Sequence, residues 1–143
     1  MSDDASPEHA FDFWVGEWEV VGPQGRRLGT SSIVSLYDTG ALSEHGRGAG
    51  GVEGRSLNAY DAERGVWHQT WVDSGGGLLM LDGGLVDGAM VLRGQARDDD
   101  SGELVAQRIT WTPEPAGVRQ HWETSADEGS TWTTAFDGHY RRT

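Results

Sequence analysis

Apolar and polar residues alternate along most of this chain with a period of two, in short runs broken by clusters of Gly, Asp, Ser and Pro. That rhythm predicts β-strands joined by tight turns. The densest run is Phe11 to Val21, Phe-Asp-Phe-Trp-Val-Gly-Glu-Trp-Glu-Val-Val. Phe11, Phe13 and Trp14 are expected to plug one end of a barrel and Gly16 to let the backbone bend. Trp18 and Val20 then alternate with Glu17 and Glu19 across the two faces of a first strand. Phe11, Trp14 and Trp18 also fit a helical spacing, but Gly16 and the Gly22-Pro23 pair argue against continuing a helix. Ser6-Pro7 reads as a helix start, so a short helical lead-in followed by a strand is expected.

Further strands are expected over 29–37, 41–47, 52–60, 66–73, 78–81, 90–93, 104–112, 118–125 and 131–140. Their connections carry hairpin chemistry, such as Asp87-Gly88, Asp100-Ser101-Gly102 and Asp127-Glu128-Gly129. About ten short strands with no crossover helix make an antiparallel meander. Closing it removes both sheet edges, and a barrel of this strand number has room for one small ligand. The expected fold is all-β, a single calycin- or lipocalin-like barrel domain over 1–143, with a two-sheet sandwich as the alternative.

The 143 residues carry 23 acidic and 11 basic side chains, a formal charge of -12, and every basic residue is Arg. That balance disfavours nucleic acid and acidic membrane surfaces as partners. Without Cys there are no disulfides or thiolates, and without Lys no Schiff base. The opening residues are acidic and lack an apolar run, and no window is long enough to span a membrane, so the cytoplasm is the expected location.

Several motifs invite chemistry and resolve into structure. Gly46-x-Gly48-x-x-Gly51 copies a dinucleotide loop, but the next residues, Glu53-Gly54-Arg55, are strand-like, so a hairpin connection is expected. Ser125-x-Asp127-x-Gly129-x-Thr131-Trp132 matches the Asp-box hairpin, a structural device. The five histidines, at 9, 45, 68, 121 and 139, include no pair that preassembles metal ligands, and no metal or cofactor is expected. Glu44-His45 and His121-Trp122-Glu123 offer acid/base pairs if they point inward. Neighbours on a strand face opposite ways, and solvent exposure is the expected fate of these groups.

The informative pattern is aromatic residues interleaved with amides: Trp67-x-Gln69-x-Trp71 and Val118-x-Gln120-x-Trp122. If those faces turn inward, Trp67, Trp71 and Trp122 supply stacking surface while Gln69 and Gln120 orient a ligand; Asn58 on a neighbouring strand is a weaker candidate. The competing reading is that the tryptophans only pack a core.

With Phe11 to Val20 at its start, Trp67-His68-Gln69-Thr70-Trp71 in the middle, and Arg119 to Glu123 followed by the Asp-box hairpin and Phe136-Asp137-Gly138-His139-Tyr140-Arg141, the chain resembles the bacterial family DUF1579 over nearly its whole length. Gly16-x-Trp18 also resembles the Gly-x-Trp of lipocalins and their calycin relatives. The resemblance implies a calycin-like barrel with an internal cavity and no assigned reaction. A more distant likeness to the nitrobindins implies haem on a histidine near the C-terminus, a place held here by His139, although its neighbours depart from their motif.

The expected function is binding of a small, largely apolar molecule inside a barrel. The alternatives are a small barrel enzyme (isomerase, cyclase or hydrolase) working through a cavity His or Glu, and, behind it, a haem-binding barrel. A buried carboxylate or His with shifted titration in the cavity speaks for the enzyme and an all-neutral lining for binding. An interaction protein, such as a homodimer burying an outer strand face, calls for a filled interior.

Overall fold

The computed structural model describes residues 6–143, and the acidic tail at 1–5 lies outside the described residues. Ten strands succeed one another: β1 (Gly16–Val21), β2 (Arg27–Leu36), β3 (Ala41–Gly48), β4 (Glu53–Asp61), β5 (Val66–Asp73), β6 (Leu78–Val86), β7 (Ala89–Arg97), β8 (Leu104–Glu114), β9 (Gly117–Ser125) and β10 (Thr133–Arg142). Each pairs antiparallel with its neighbours in sequence, and β1 pairs with β10 to close the barrel. None of these ten strands is left with an unpaired edge.

β6 and β7 run several residues beyond the 78–81 and 90–93 expected of them. The strands run on through Gly83 and Gly94, where a neighbouring backbone comes close. A Cβ on Gly83 would collide with the carbonyl of Val91, and one on Gly94 with that of Met80. The turn falls at Asp87-Gly88, whose φ angles of 51° and 84° are those of a two-residue hairpin with both residues left-handed.

The lead-in forms two short 3-10 turns, Pro7–His9 and Asp12–Trp14. They cover the barrel end where β1 starts and β10 finishes. Phe11 and Trp14 are fully buried there. Phe11 stacks on Trp14 at 5.0 Å between ring centroids and meets Trp67 and Trp111 edge-on at 5.6 and 5.1 Å. Two indoles also tie the lead-in down: Trp67 Nε1 donates to the carbonyl of Pro7 at 2.9 Å, and Trp18 Nε1 to that of Trp14 at 2.9 Å. Each large aromatic buried in this plug contributes up to about 5 kcal/mol of transfer free energy before its ordering cost. Trp18 and Val20 face in, and Glu17 faces solvent, as the alternation requires.

Candidate functional site

The opposite end of the barrel is open. A cavity of about 900 Å³ descends from the turns β5–β6 and β7–β8 and the start of β10 toward the aromatic plug. Its upper wall is Trp71 on β5, Trp122 on β9 and Phe136 on β10, with Leu79 of β6 and Ile109 of β8 beside them. Each wall residue is placed by an identifiable local feature. Trp71 lies flat across Gly54 of β4, where any side chain would run into its six-membered ring. Trp122 is oriented by its Nε1, which donates to Gln107 Oε1 at 2.8 Å, and Gln107 Nε2 donates in turn to the carbonyl of Val105 at 3.2 Å. Phe136 is turned inward by a bulge: Thr134 pairs with Glu123 but Phe136 pairs with Trp122, leaving Ala135 as the extra residue.

Deeper, the wall becomes polar. Glu44 of β3 lines the cavity although only 4% exposed. Ser56 on β4 donates to its Oε1 at 2.7 Å and Ser31 on β2 to its Oε2 at 3.3 Å. Behind Ser56 the donors continue, with Asn58 Nδ2 bonded to Ser56 Oγ at 2.9 Å and Gln69 Nε2 to Asn58 Oδ1 at 2.7 Å. Across the cavity Tyr140 donates its hydroxyl to Gln120 Oε1 at 2.6 Å. Burial pushes the Glu44 carboxyl up from 4.5 to about 7, against the opposing pull of the Ser56 and Ser31 hydrogen bonds. Burial, reinforced by the charge of Glu44, also raises the Tyr140 phenol well above its ordinary value, so it stays a neutral donor.

Of the residues expected to form the site, Gln69, Trp71, Gln120 and Trp122 come together around this one cavity. Trp67 does not. It points inward from the same face of β5 but lies in the plug, packed by Phe11 and Tyr60, so it offers no stacking surface to a ligand. Asn58 is fully buried on the inner face of β4 but does not line the cavity, and it bonds to Ser56, Gln69 and the carbonyl of Leu42.

Glu44 corrects the expectation of a solvent-exposed carboxylate. The rule that Glu44 and His45 face opposite ways holds, and it is the Glu that faces in, while His45 bonds to Glu53 outside at 3.0 Å. A signal was present in the register: Glu44 shares its face with buried Leu42 and pairs directly with inward Ser56. Gln107, Phe136 and Tyr140 also line the cavity, and nothing in their local sequence pattern singles them out for it.

The histidines stand elsewhere. His121 bonds to Thr134 Oγ1 at 2.9 Å and Glu123 accepts from Arg108, both on the outer face. His139 is held by Glu114 at 2.9 Å on the outside of β10, so its ring is not presented to the cavity as a haem ligand. Among the described residues no histidine lines the cavity and no group of three His, Cys, Asp or Glu could hold a metal ion. The Asp-box hairpin is built as expected, with Asp127 accepting from Thr131 N at 2.8 Å and from Thr131 Oγ1 at 2.6 Å. Trp132 lies under the Arg108 guanidinium at 4.0 Å, on the outer face.

Fold and cavity together define a closed antiparallel barrel of calycin-like form, plugged at one end and hollow at the other. No protein-family profile matches the chain, and no curated protein matches it. Among the described residues no helix is long and apolar enough to cross a membrane.

Proposed function

We propose that this barrel binds a small, largely apolar molecule that carries polar handles, in the cavity walled by Trp71, Trp122 and Phe136. The observation that carries the reading is the hollow itself: about 900 Å³, a size typical of small-molecule sites, with aromatic walls above and fixed hydrogen-bonding groups below. Gln69 and Gln120 are the orienting amides. The calycin-like topology supports the likeness to lipocalins, and the DUF1579 resemblance is retained as a proposal on the motifs that carry it.

The test is a titration with the neutral fluorophore N-phenyl-1-naphthylamine. Saturable one-to-one binding is expected, weakened about tenfold by Trp122→Ala through loss of the stacking wall. An absence of saturable binding, together with no small molecule co-purifying in native mass spectrometry, overturns the reading.

One observation favours a second reading, a small barrel enzyme. Glu44 sits in the wall with its carboxyl held near neutrality, where a general acid or base works best. Conversion of a bound molecule, lost in Glu44→Gln while binding persists, distinguishes that reading from simple binding.

A further inference from the structure

Glu44 is the one group in the cavity's interior whose charge the barrel does not balance. Of the charged side chains that line the cavity, Asp73, Arg97 and Asp99 all belong to the mouth. Arg97, the only cation among them, ends β7 and donates to the carbonyl of Gly102 at 2.8 Å. What faces Glu44 is neutral from every side: Ser31 from β2, Ser56 from β4 and the Tyr140 phenol from β10. A buried carboxylate without a counter-ion is costly, and a fold selected only for stability would be better served by an apolar residue.

The donors behind Glu44 nevertheless run toward it. Gln69 donates to Asn58, Asn58 to Ser56, and Ser56 to the carboxylate, a chain in which each bond polarises the next toward an acceptor at its end. The carboxylate has about four acceptor sites in all. Ser56 occupies one on Oε1 and Ser31 one on Oε2, leaving capacity on both oxygens.

We propose that the inner end of the cavity is a cation-selecting subsite, in which the Glu44 carboxylate receives a protonated amine while Trp71, Trp122 and Phe136 enclose the ligand's apolar or aromatic body. The inference rests on the small-molecule reading above and narrows it from apolar molecules in general to amphipathic amines. Several features converge on the same class. The chain's charge of -12, with Asp73 and Asp99 at the mouth, concentrates cations near the opening. The indole faces of the wall favour a nearby ammonium group. A ligand with a carboxylate head, such as a fatty acid, would meet the ionised Glu44 as a like charge and is disfavoured above about pH 7.

An isosteric probe pair tests this: 2-(1-naphthyl)ethylamine, protonated between about pH 5.5 and about pH 8, and 2-(1-naphthyl)ethanol, neutral throughout. Wild-type protein at pH 8 is expected to bind the amine at least about tenfold more tightly than the alcohol, the margin of a charged over a neutral hydrogen bond. Amine affinity is expected to fall as the pH drops through about 7 and Glu44 takes up its proton, while alcohol affinity stays level. Glu44→Gln is expected to abolish both the preference and the pH dependence. If that variant does not fold, the wild-type amine-to-alcohol ratio and its pH profile decide alone. Equal binding of the two probes at pH 8, unaffected by pH, overturns the cation subsite and leaves the small-molecule reading standing. Failure of both probes to bind overturns the cation subsite, and the small-molecule reading falls with it if N-phenyl-1-naphthylamine also fails to bind and no small molecule co-purifies.

Discussion

The two ends of this barrel are built from the same residue types and do opposite things. Trp67 and Trp71 lie on one face of one strand, yet Trp67 is 2% exposed in a packed plug while Trp71 walls a cavity. The difference lies in what covers them. The lead-in lays Phe11 and Trp14 over the first end, and among the described residues no comparable segment covers the second. The pairing of polar groups differs in part, because beside the indoles of Trp67 and Trp18, which bond to the lead-in, the plug holds two that bond to nothing. Among the described residues the indole N–H groups of Trp14 and Trp111, both in the plug, have no hydrogen-bond partner. At the open end Trp71 Nε1 reaches Asp73 Oδ2 at 3.1 Å and Trp122 reaches Gln107. The plug tolerates unpaired donors because aromatic burial outweighs their cost of about 1–3 kcal/mol each. In the cavity wall the same donors serve to fix ring orientation.

If that contrast is right, truncating the two tryptophans of β5 separates stability from binding. Trp67→Ala is expected to cost about 3–5 kcal/mol in urea denaturation, because it opens a void between Phe11 and Tyr60. Trp71→Ala is expected to cost about 1 kcal/mol or less, since it enlarges a space already present, and to weaken probe binding instead. Similar stability losses for both would mean that the second end is packed as tightly as the first.

Glu44 sharpens the comparison next, because among the described residues the buried carboxyl belongs to the hollow end. Its carboxyl titrates near 7 in the folded protein against about 4.5 unfolded. A folded value above the unfolded one means that the native state holds the proton more tightly. The stabilisation is present in full below the unfolded value and is lost as the pH rises through about 7. At about 1.4 kcal/mol per pH unit the loss amounts to about 3 kcal/mol by pH 8. Glu44→Gln, which does not ionise, is therefore expected to gain stability over wild type at pH 8 and to lose that advantage at pH 5. A stability difference that does not change between the two pH values would place Glu44 in contact with bulk water.

Much of this was legible in the sequence because period-two alternation and turn residues are local properties. The ten strands, the closed meander and the plugging role of Phe11 and Trp14 emerge from spacing and from the absence of any crossover helix. The inward faces of Gln69/Trp71 and Gln120/Trp122 were visible for the same reason. Height along the barrel axis was not. Alternation says which face a residue takes and nothing about which end it occupies, so Trp67 and Trp71 looked alike. Glu44 was missed because the cost of burying a carboxylate makes exposure the default, and the serines that offset it come from two other strands, at positions 31 and 56. The full lengths of β6 and β7 were not legible either, since a glycine that admits a neighbouring backbone, as Gly83 and Gly94 do, is spelled like one that makes a turn.

A smaller effect than those of Trp67 and Glu44 is expected at the surface on which Trp71 rests. Gly54 has no positive φ to explain it, and its place in β4 is dictated by the indole lying against its backbone. Gly54→Ala puts a methyl group where the ring is, so the ring must move. The expected cost is about 1–2 kcal/mol, at the lower end for overpacking because a half-buried ring beside a cavity has space to yield. The displaced indole narrows the hollow, and affinity for N-phenyl-1-naphthylamine should fall severalfold. A double-mutant cycle identifies the cause: in a Trp71→Ala background the added methyl group meets no ring, and Gly54→Ala should there be close to neutral for stability and without further effect on binding. Equal penalties in the two backgrounds would show that Gly54 serves β4 itself, through strand pairing with Asp73 and Gly46, and that the position of Trp71 is set by its bond to Asp73 alone.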